Sequence, residues 1–177
     1  MSKSYKEILN DITTFIFDVD GVYTNSMLLI DNDGNLLRSM NTKDGYATKV
    51  ALDKGYNLCI ISGGKNKAVK SRLEGLGVKD VYLGAGDKIE CYNEYLNANA
   101  IEPEQVLFMG DDLPDIPVMN RVALPTCPQD AVAEVKRISK YISHKEGGKG
   151  CVRDVIEQVL KVQGKWPTDD ERTITSA

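Results

Sequence analysis

Short apolar runs, rich in β-branched and aromatic residues, alternate along this chain with longer segments in which apolar positions recur every three or four residues. The runs fall at 14–17, 57–61, 80–83, 105–109, 122–124 and 141–143, and they read as strands. The segments 45–54, 66–76, 89–99, 131–139 and 152–162 carry helical periodicity. Strand and helix in alternation predict an α/β fold, a doubly wound, Rossmann-like parallel sheet covered on both faces. In such sheets ligands bind beyond the carboxyl ends of the strands, where strand order reverses.

One segment breaks the alternation. Residues 27–30 and 36–40 flank Asp31-Asn32-Asp33-Gly34-Asn35 and predict a β-hairpin flap over about 26–41, inserted after the first strand. Its Asp-x-Asp is not a calcium loop, because Leu36 stands where that loop needs glycine and no glutamate follows at the right distance. The hairpin's Leu28, Leu29, Leu36 and Leu37 fit either a neighbouring subunit or the chain's own core. After Trp166 the sequence PTDDERTITSA is polar and aperiodic. The expected organisation is one domain over 1–166 and a loose tail over 167–177.

At 177 residues, 42% hydrophobic and 27% charged, with a net charge of −4, the chain has an ordinary globular composition and no electrostatic footprint for nucleic acid. No apolar run approaches a membrane span, and the N-terminal residues lack the apolar centre of a signal peptide, so a cytoplasmic location is expected. Cys59, Cys91, Cys127 and Cys151 are scattered and predict free thiols. The single histidine, His144, excludes a histidine phosphatase and a multi-histidine metal centre. No cysteine is followed six positions later by the arginine of a cysteine phosphatase.

The chemistry-bearing residues stand at strand ends. The first strand empties into Asp18-Val19-Asp20-Gly21, two carboxylates that repel one another unless a cation or proton lies between them. This pattern is common in plain turns, but it also suits phosphoryl transfer with Asp18 as nucleophile and Asp20 as general acid/base. Ser62-Gly63-Gly64 follows the second strand and offers a hydroxyl and open backbone N–H groups to an anion. Lys88, after Gly86-Asp87, offers an ammonium. Gly110-Asp111-Asp112-Leu113-Pro114-Asp115 crowds three carboxylates beside the strand at 105–109, which favours a hard divalent cation, Mg²⁺.

The ordered set of DxD, Ser, Lys and GDDxxD resembles the haloacid dehalogenase superfamily of phosphatases. The resemblance implies that Asp18 attacks phosphorus and that Asp20 protonates the leaving group and later activates water. It implies that Ser62 and Lys88 hold the phosphoryl oxygens. Mg²⁺ would sit on the Asp18 carboxylate, the Asp20 main-chain carbonyl and Asp111, with Asp112 and Asp115 supporting it. Stretches 21–61 and 63–87 leave no room for the cap domain that many relatives carry. An uncapped site takes either a macromolecule or a small substrate enclosed by another subunit.

Closer resemblance lies in FDVDGVYTN, NTKDGY, GDDLPD followed by Pro117-Val118-Met119, and GGKGCVR at 147–153. These resemble the capless 3-deoxy-D-manno-octulosonate 8-phosphate (KDO8P) phosphatases of lipopolysaccharide synthesis. The resemblance implies a homotetramer in which hairpins meet and a neighbour covers each site. Carried over by position, the substrate-facing residues are Gly63, Gly64, Arg72, Lys88 and the turn from Asn41 to Asp44. Many members carry arginine where this chain has Gly64; the sister family acting on nine-carbon sugar acid 9-phosphates tends to place glutamate there and lysine at the position of Gly75. Arg72, near Glu74, fits an ion pair as well as substrate binding. Lys149 and Arg153, near the start of the last helix, mark a place for something anionic. A non-catalytic assembly module and a protein phosphatase are the readings of other classes.

Overall fold

Residues Thr14–Phe17 are buried on every side, a pattern that a strand shows only when both faces of its sheet are covered. The computed structural model describes residues 3–168. Its eight strands are β1 (Thr14–Phe17), β2 (Leu29–Ile30), β3 (Leu36–Leu37), β4 (Asn57–Ser62), β5 (Asp80–Leu83), β6 (Val106–Met109), β7 (Leu124–Cys127) and β8 (Tyr141–Ile142). The α-helices are α1 (Tyr5–Ile8), α2 (Thr42–Asp53), α3 (Lys67–Gly75), α4 (Lys88–Asn99), α5 (Ile116–Met119), α6 (Ala133–Ile138) and α7 (Cys151–Val162).

Six strands form one parallel sheet in the order β5-β4-β1-β6-β7-β8. The chain builds outward from β1 in one direction to β4 and β5, then in the other to β6, β7 and β8. The order therefore reverses at β1, whose carboxyl end opens between those of β4 and β6. On one face Phe15, Phe17 and Leu58 pack under α2, α3 and α7. On the other, Ile16, Cys59, Ile61 and Phe108 pack under α4, α5 and α6. Successive side chains of β1 thus serve opposite layers.

Helix α7 buries Cys151, Val152, Val155, Ile156, Val159 and Leu160, a spacing that lays one stripe against α2 and the sheet. The observed elements depart from the expected ones in two places. The strand expected at 122–124 runs instead from Leu124 to Cys127, through Pro125. Pro125 cannot donate, but its carbonyl accepts the Lys140 N–H at 2.9 Å, so the edge of the sheet is still joined. The hairpin pairs only Leu29 with Leu37 and Ile30 with Leu36, antiparallel. It has no core beneath it, and an isolated two-stranded ribbon stays short. Met27, Leu29 and Ile30 are 70%, 68% and 66% exposed, so packing of the hairpin into its own core is corrected. Asp31 closes the turn by accepting from the Asp33 and Asn35 backbones at 2.9 and 2.8 Å.

The tail expected to be loose lies, beyond Thr168, outside the described residues. Among the described residues no helix is long and apolar enough to cross a membrane. The described residues also hold no cap over the sheet's carboxyl edge; what rises there is the hairpin.

Candidate active site

The carboxyl ends of β1, β4 and β6, with the loop before α4, enclose a cavity of about 610 Å³. Asp18, Asp20, Ser62, Gly63, Gly64, Lys88, Asp111, Asp112 and Asp115 all line it, so these sequence candidates are brought together. Ser26, Ala85, Gly86 and Asp87 complete much of the wall.

Lys88 organises the floor. It is the first residue of α4, where a cation opposes the helix dipole, so carboxylates must compensate. Its Nζ lies 2.8 Å from Asp18 Oδ2 and 2.6 Å from Asp115 Oδ1. Burial pulls the ammonium down, but Asp18 and Asp115 outweigh it and hold Lys88 above its ordinary range. Asp115 is also fixed by the backbone N–H groups of Asp111 and Asp112, at 3.0 and 3.3 Å to its Oδ2. Asp112 stays exposed on the rim and accepts the Leu113 N–H at 2.8 Å.

The strand end aims Asp18. Its N–H donates to the Met109 carbonyl of β6 at 3.1 Å, and its Oδ1 accepts the Val19 N–H at 2.6 Å. Gly21 then turns the chain at φ +89°, and a Cβ there would overlap the Asp111 carboxylate. Gly147 packs against the carbonyl of Gly21 so closely that a Cβ would overlap it. The glycine stretch at 147–150 therefore backs the DxDG turn.

Carboxylate oxygens of Asp18, Asp111 and Asp115 lie within 4.8 Å of one another. Burial, then Asp115 and Asp18, raise Asp111 to about 8; burial and Asp115 raise Asp18 to about 6 despite Lys88. One ammonium does not balance these carboxylates. An all-oxygen donor set with excess negative charge fits a hard divalent cation.

The Asp20 carboxylate lies beside Gly64. Arg38, carried in from the hairpin, grips it with Nε to Oδ1 at 2.7 Å and Nη2 to Oδ2 at 2.9 Å. The sequence reading missed Arg38. The available signal was the one charged residue in the two strand segments of the hairpin, directly after Leu36-Leu37.

Three candidates stand apart from the cavity. Asn41 caps α2, accepting the Lys43 N–H at 2.8 Å and donating to the Gly148 carbonyl at 3.3 Å. Asp44 is buried under α7, where its Oδ1 takes the Arg153 N–H at 2.8 Å. The carboxylate that meets the start of the last helix at Arg153 is thus this chain's own Asp44. Arg72 lies on α3 beside Gly45 of α2 and does not reach the cavity within one protomer.

Residues 80–155 match the model of the haloacid dehalogenase-like hydrolases. The chain is 37% identical over 155 residues to the 3-deoxy-D-manno-octulosonate 8-phosphate phosphatase KdsC of Salmonella typhi, covering 88% of this chain and 82% of that protein. The crystal structure of the enzyme of that name from Yersinia pestis superposes with a TM-score of 0.88 at 34% identity, covering 90% of this chain and 86% of the other. The Moraxella catarrhalis phosphatase, solved in complex with magnesium, phosphate and KDO, gives a TM-score of 0.87 at 27% identity, covering 90% and 91%. With its carboxylates, lysine and serine gathered at the reversal point of a capless sheet, the chain belongs to the 3-deoxy-D-manno-octulosonate 8-phosphate phosphatase family of haloacid dehalogenase-like hydrolases.

Proposed function

We propose that this chain is a Mg²⁺-dependent phosphatase that hydrolyses 3-deoxy-D-manno-octulosonate 8-phosphate to KDO and inorganic phosphate, in the cytoplasm, for lipopolysaccharide synthesis. The observation that carries the reading is the Lys88 ammonium, shared by Asp18 and Asp115 beside Asp111 at the mouth of β1. The names of the relatives supply the substrate.

In this reading Asp18 Oδ attacks phosphorus, the bond from phosphorus to the sugar oxygen breaks, and the Asp20 carboxyl gives its proton to that oxygen. Water then attacks the aspartyl phosphate and yields a proton to Asp20. The bond between phosphorus and Asp18 breaks, phosphate leaves, and both aspartates return to their starting states. Ser62, the Gly63 and Gly64 backbone and Lys88 hold the phosphoryl oxygens. Mg²⁺ would be held by the carboxylates of Asp18 and Asp111 and the main-chain carbonyl of Asp20, and it supplies charge neutralisation for the transferring phosphoryl group. Asp115 steadies Lys88 and the Asp111 loop, with Asp112 at the rim.

Residues 1–166 act in this reading as one phosphatase domain. The exposed apolar face of the hairpin supports a homotetramer in which a neighbour closes the site. Arg72, Asn41 and Asp44 do not face the cavity of their own protomer, so substrate contact by Arg72 would need that assembly.

The test compares kcat/KM for Mg²⁺-dependent phosphate release from the eight-carbon 8-phosphate and from nine-carbon sugar acid 9-phosphates. A preference of about a hundredfold for the eight-carbon ester, near 2.7 kcal/mol, is expected, with Asp18→Asn inert on both. The reverse preference assigns the chain to the nine-carbon substrates. Turnover of neither ester by the wild type leaves an assembly module or a protein phosphatase.

A further inference from the structure

The hairpin is exposed along most of its length, yet Arg38 at its base has a side chain only 7% exposed. Three of its nitrogens are committed. Nε and Nη2 fork onto the two oxygens of Asp20, and Nη1 donates to the Leu36 carbonyl at 3.0 Å. The same carbonyl accepts Asn66 Nδ2 at 2.8 Å, and Asn66 in turn caps α3 by accepting the Val69 N–H at 3.0 Å. The ribbon is therefore pinned at one point both to α3 and to Asp20.

Arg38 does not line the large cavity. It stands behind Asp20, in a narrow gap shared with Asn66, Val69 and Leu83. Gly64 keeps that place open: a Cβ there would lie 3.3 Å from Asp20 Oδ2 and 3.4 Å from Arg38 Nη2, pressing on the fork. An ordinary surface ion pair ties down neither partner. A bidentate fork from a guanidinium that is itself packed in fixes the plane of the carboxylate.

We infer that Arg38 is a positioning residue: it fixes the carboxylate plane of Asp20 from behind and so makes the hairpin part of the active site. The inference rests on the reading of Asp20 as the group that exchanges protons with the leaving oxygen. Arg38 acts through Asp20 and touches neither the phosphoryl group nor the sugar acid.

The leaving group tests this. A primary alkyl phosphate needs a proton on its departing oxygen, whereas p-nitrophenyl phosphate departs as a stable anion. For Arg38→Met, kcat/KM for the alkyl ester should fall about 10- to 100-fold, part of the general acid effect. The fall for p-nitrophenyl phosphate should be at least tenfold smaller, and Arg38→Lys should recover part of the alkyl activity. In an Asp20→Asn background the Arg38→Met change should have no further effect on the alkyl ester. Equal falls for both esters, or an undiminished effect in the Asp20→Asn background, overturn the inference. Failure of the wild type on both esters overturns the phosphatase reading instead, and thermal unfolding of each variant separates loss of fold from loss of positioning.

Discussion

The carboxylate of Asp44 is buried, and it draws its support from the start of α7, a stretch of chain far from it in sequence. Its Oδ1 takes the Arg153 N–H, while Oδ2 has no hydrogen-bond partner among the described residues. Burial raises its pKa from 3.8 to about 6, with the Arg153 and Gly150 backbones pulling the other way. The folded state therefore binds this proton more tightly than the unfolded one. The stabilisation from protonating Asp44 is full below about pH 4 and is lost as pH rises through 6. Relative to Asp44→Asn, which cannot titrate, the wild type should gain about 2 to 3 kcal/mol in unfolding free energy between pH 8 and pH 4. Denaturant titrations of both proteins at the two pH values measure it.

Asp44 also marks where residue-level reading ran out. Asp18, Ser62, Lys88, Asp111 and Asp115 each sit in a short strand-end motif, so local sequence was enough to propose them. Asn41 and Asp44 stand in an equally conspicuous turn, yet here they cap α2 and α7. Arg38 was illegible for the opposite reason. Its meeting with Asp20 depends on a hairpin folding back over the strand end, which no local pattern encodes.

At the scale of elements, periodicity located every α-helix of more than four residues among the described residues, and it located the central strands where apolar runs were continuous. It misplaced β7 because Pro125 reads as a terminator, and the price of its missing N–H is small next to a two-residue edge strand. The loop after β6 shows how closely an element end can be specified. A Cβ at Gly110 would overlap the Asp115 side chain, which holds Lys88 and two backbone N–H groups of that loop. Gly110→Ala should displace Asp115, and Lys88 with it. Phosphatase kcat should fall about 100-fold or more, in line with the loss of one preorganised electrostatic group. Steady-state kinetics beside circular dichroism would separate this from loss of fold.

At the scale of the molecule, the hairpin and the site are one mechanical unit, pinned at Arg38 and Asn66. Its apolar residues point away from the core, so polar substitutions there leave the protomer intact. Leu29→Asp with Leu37→Asp should give a lighter particle by light scattering than the wild type, at nearly unchanged protomer stability. An unchanged particle mass would remove the hairpin from the assembly. The fold carries a second long-range connection, from α2 to α7. Helix α2 keeps Ala47, Val50 and Ala51 in the layer that α7 covers, and Asp44 meets its backbone donor only at Arg153. During synthesis, then, the first half of the sheet leaves the ribosome with one face covered only by α2 and α3 and a carboxylate still waiting for its cap. The protein is closed from its far end, and a chain stalled before α7 is a sticky one.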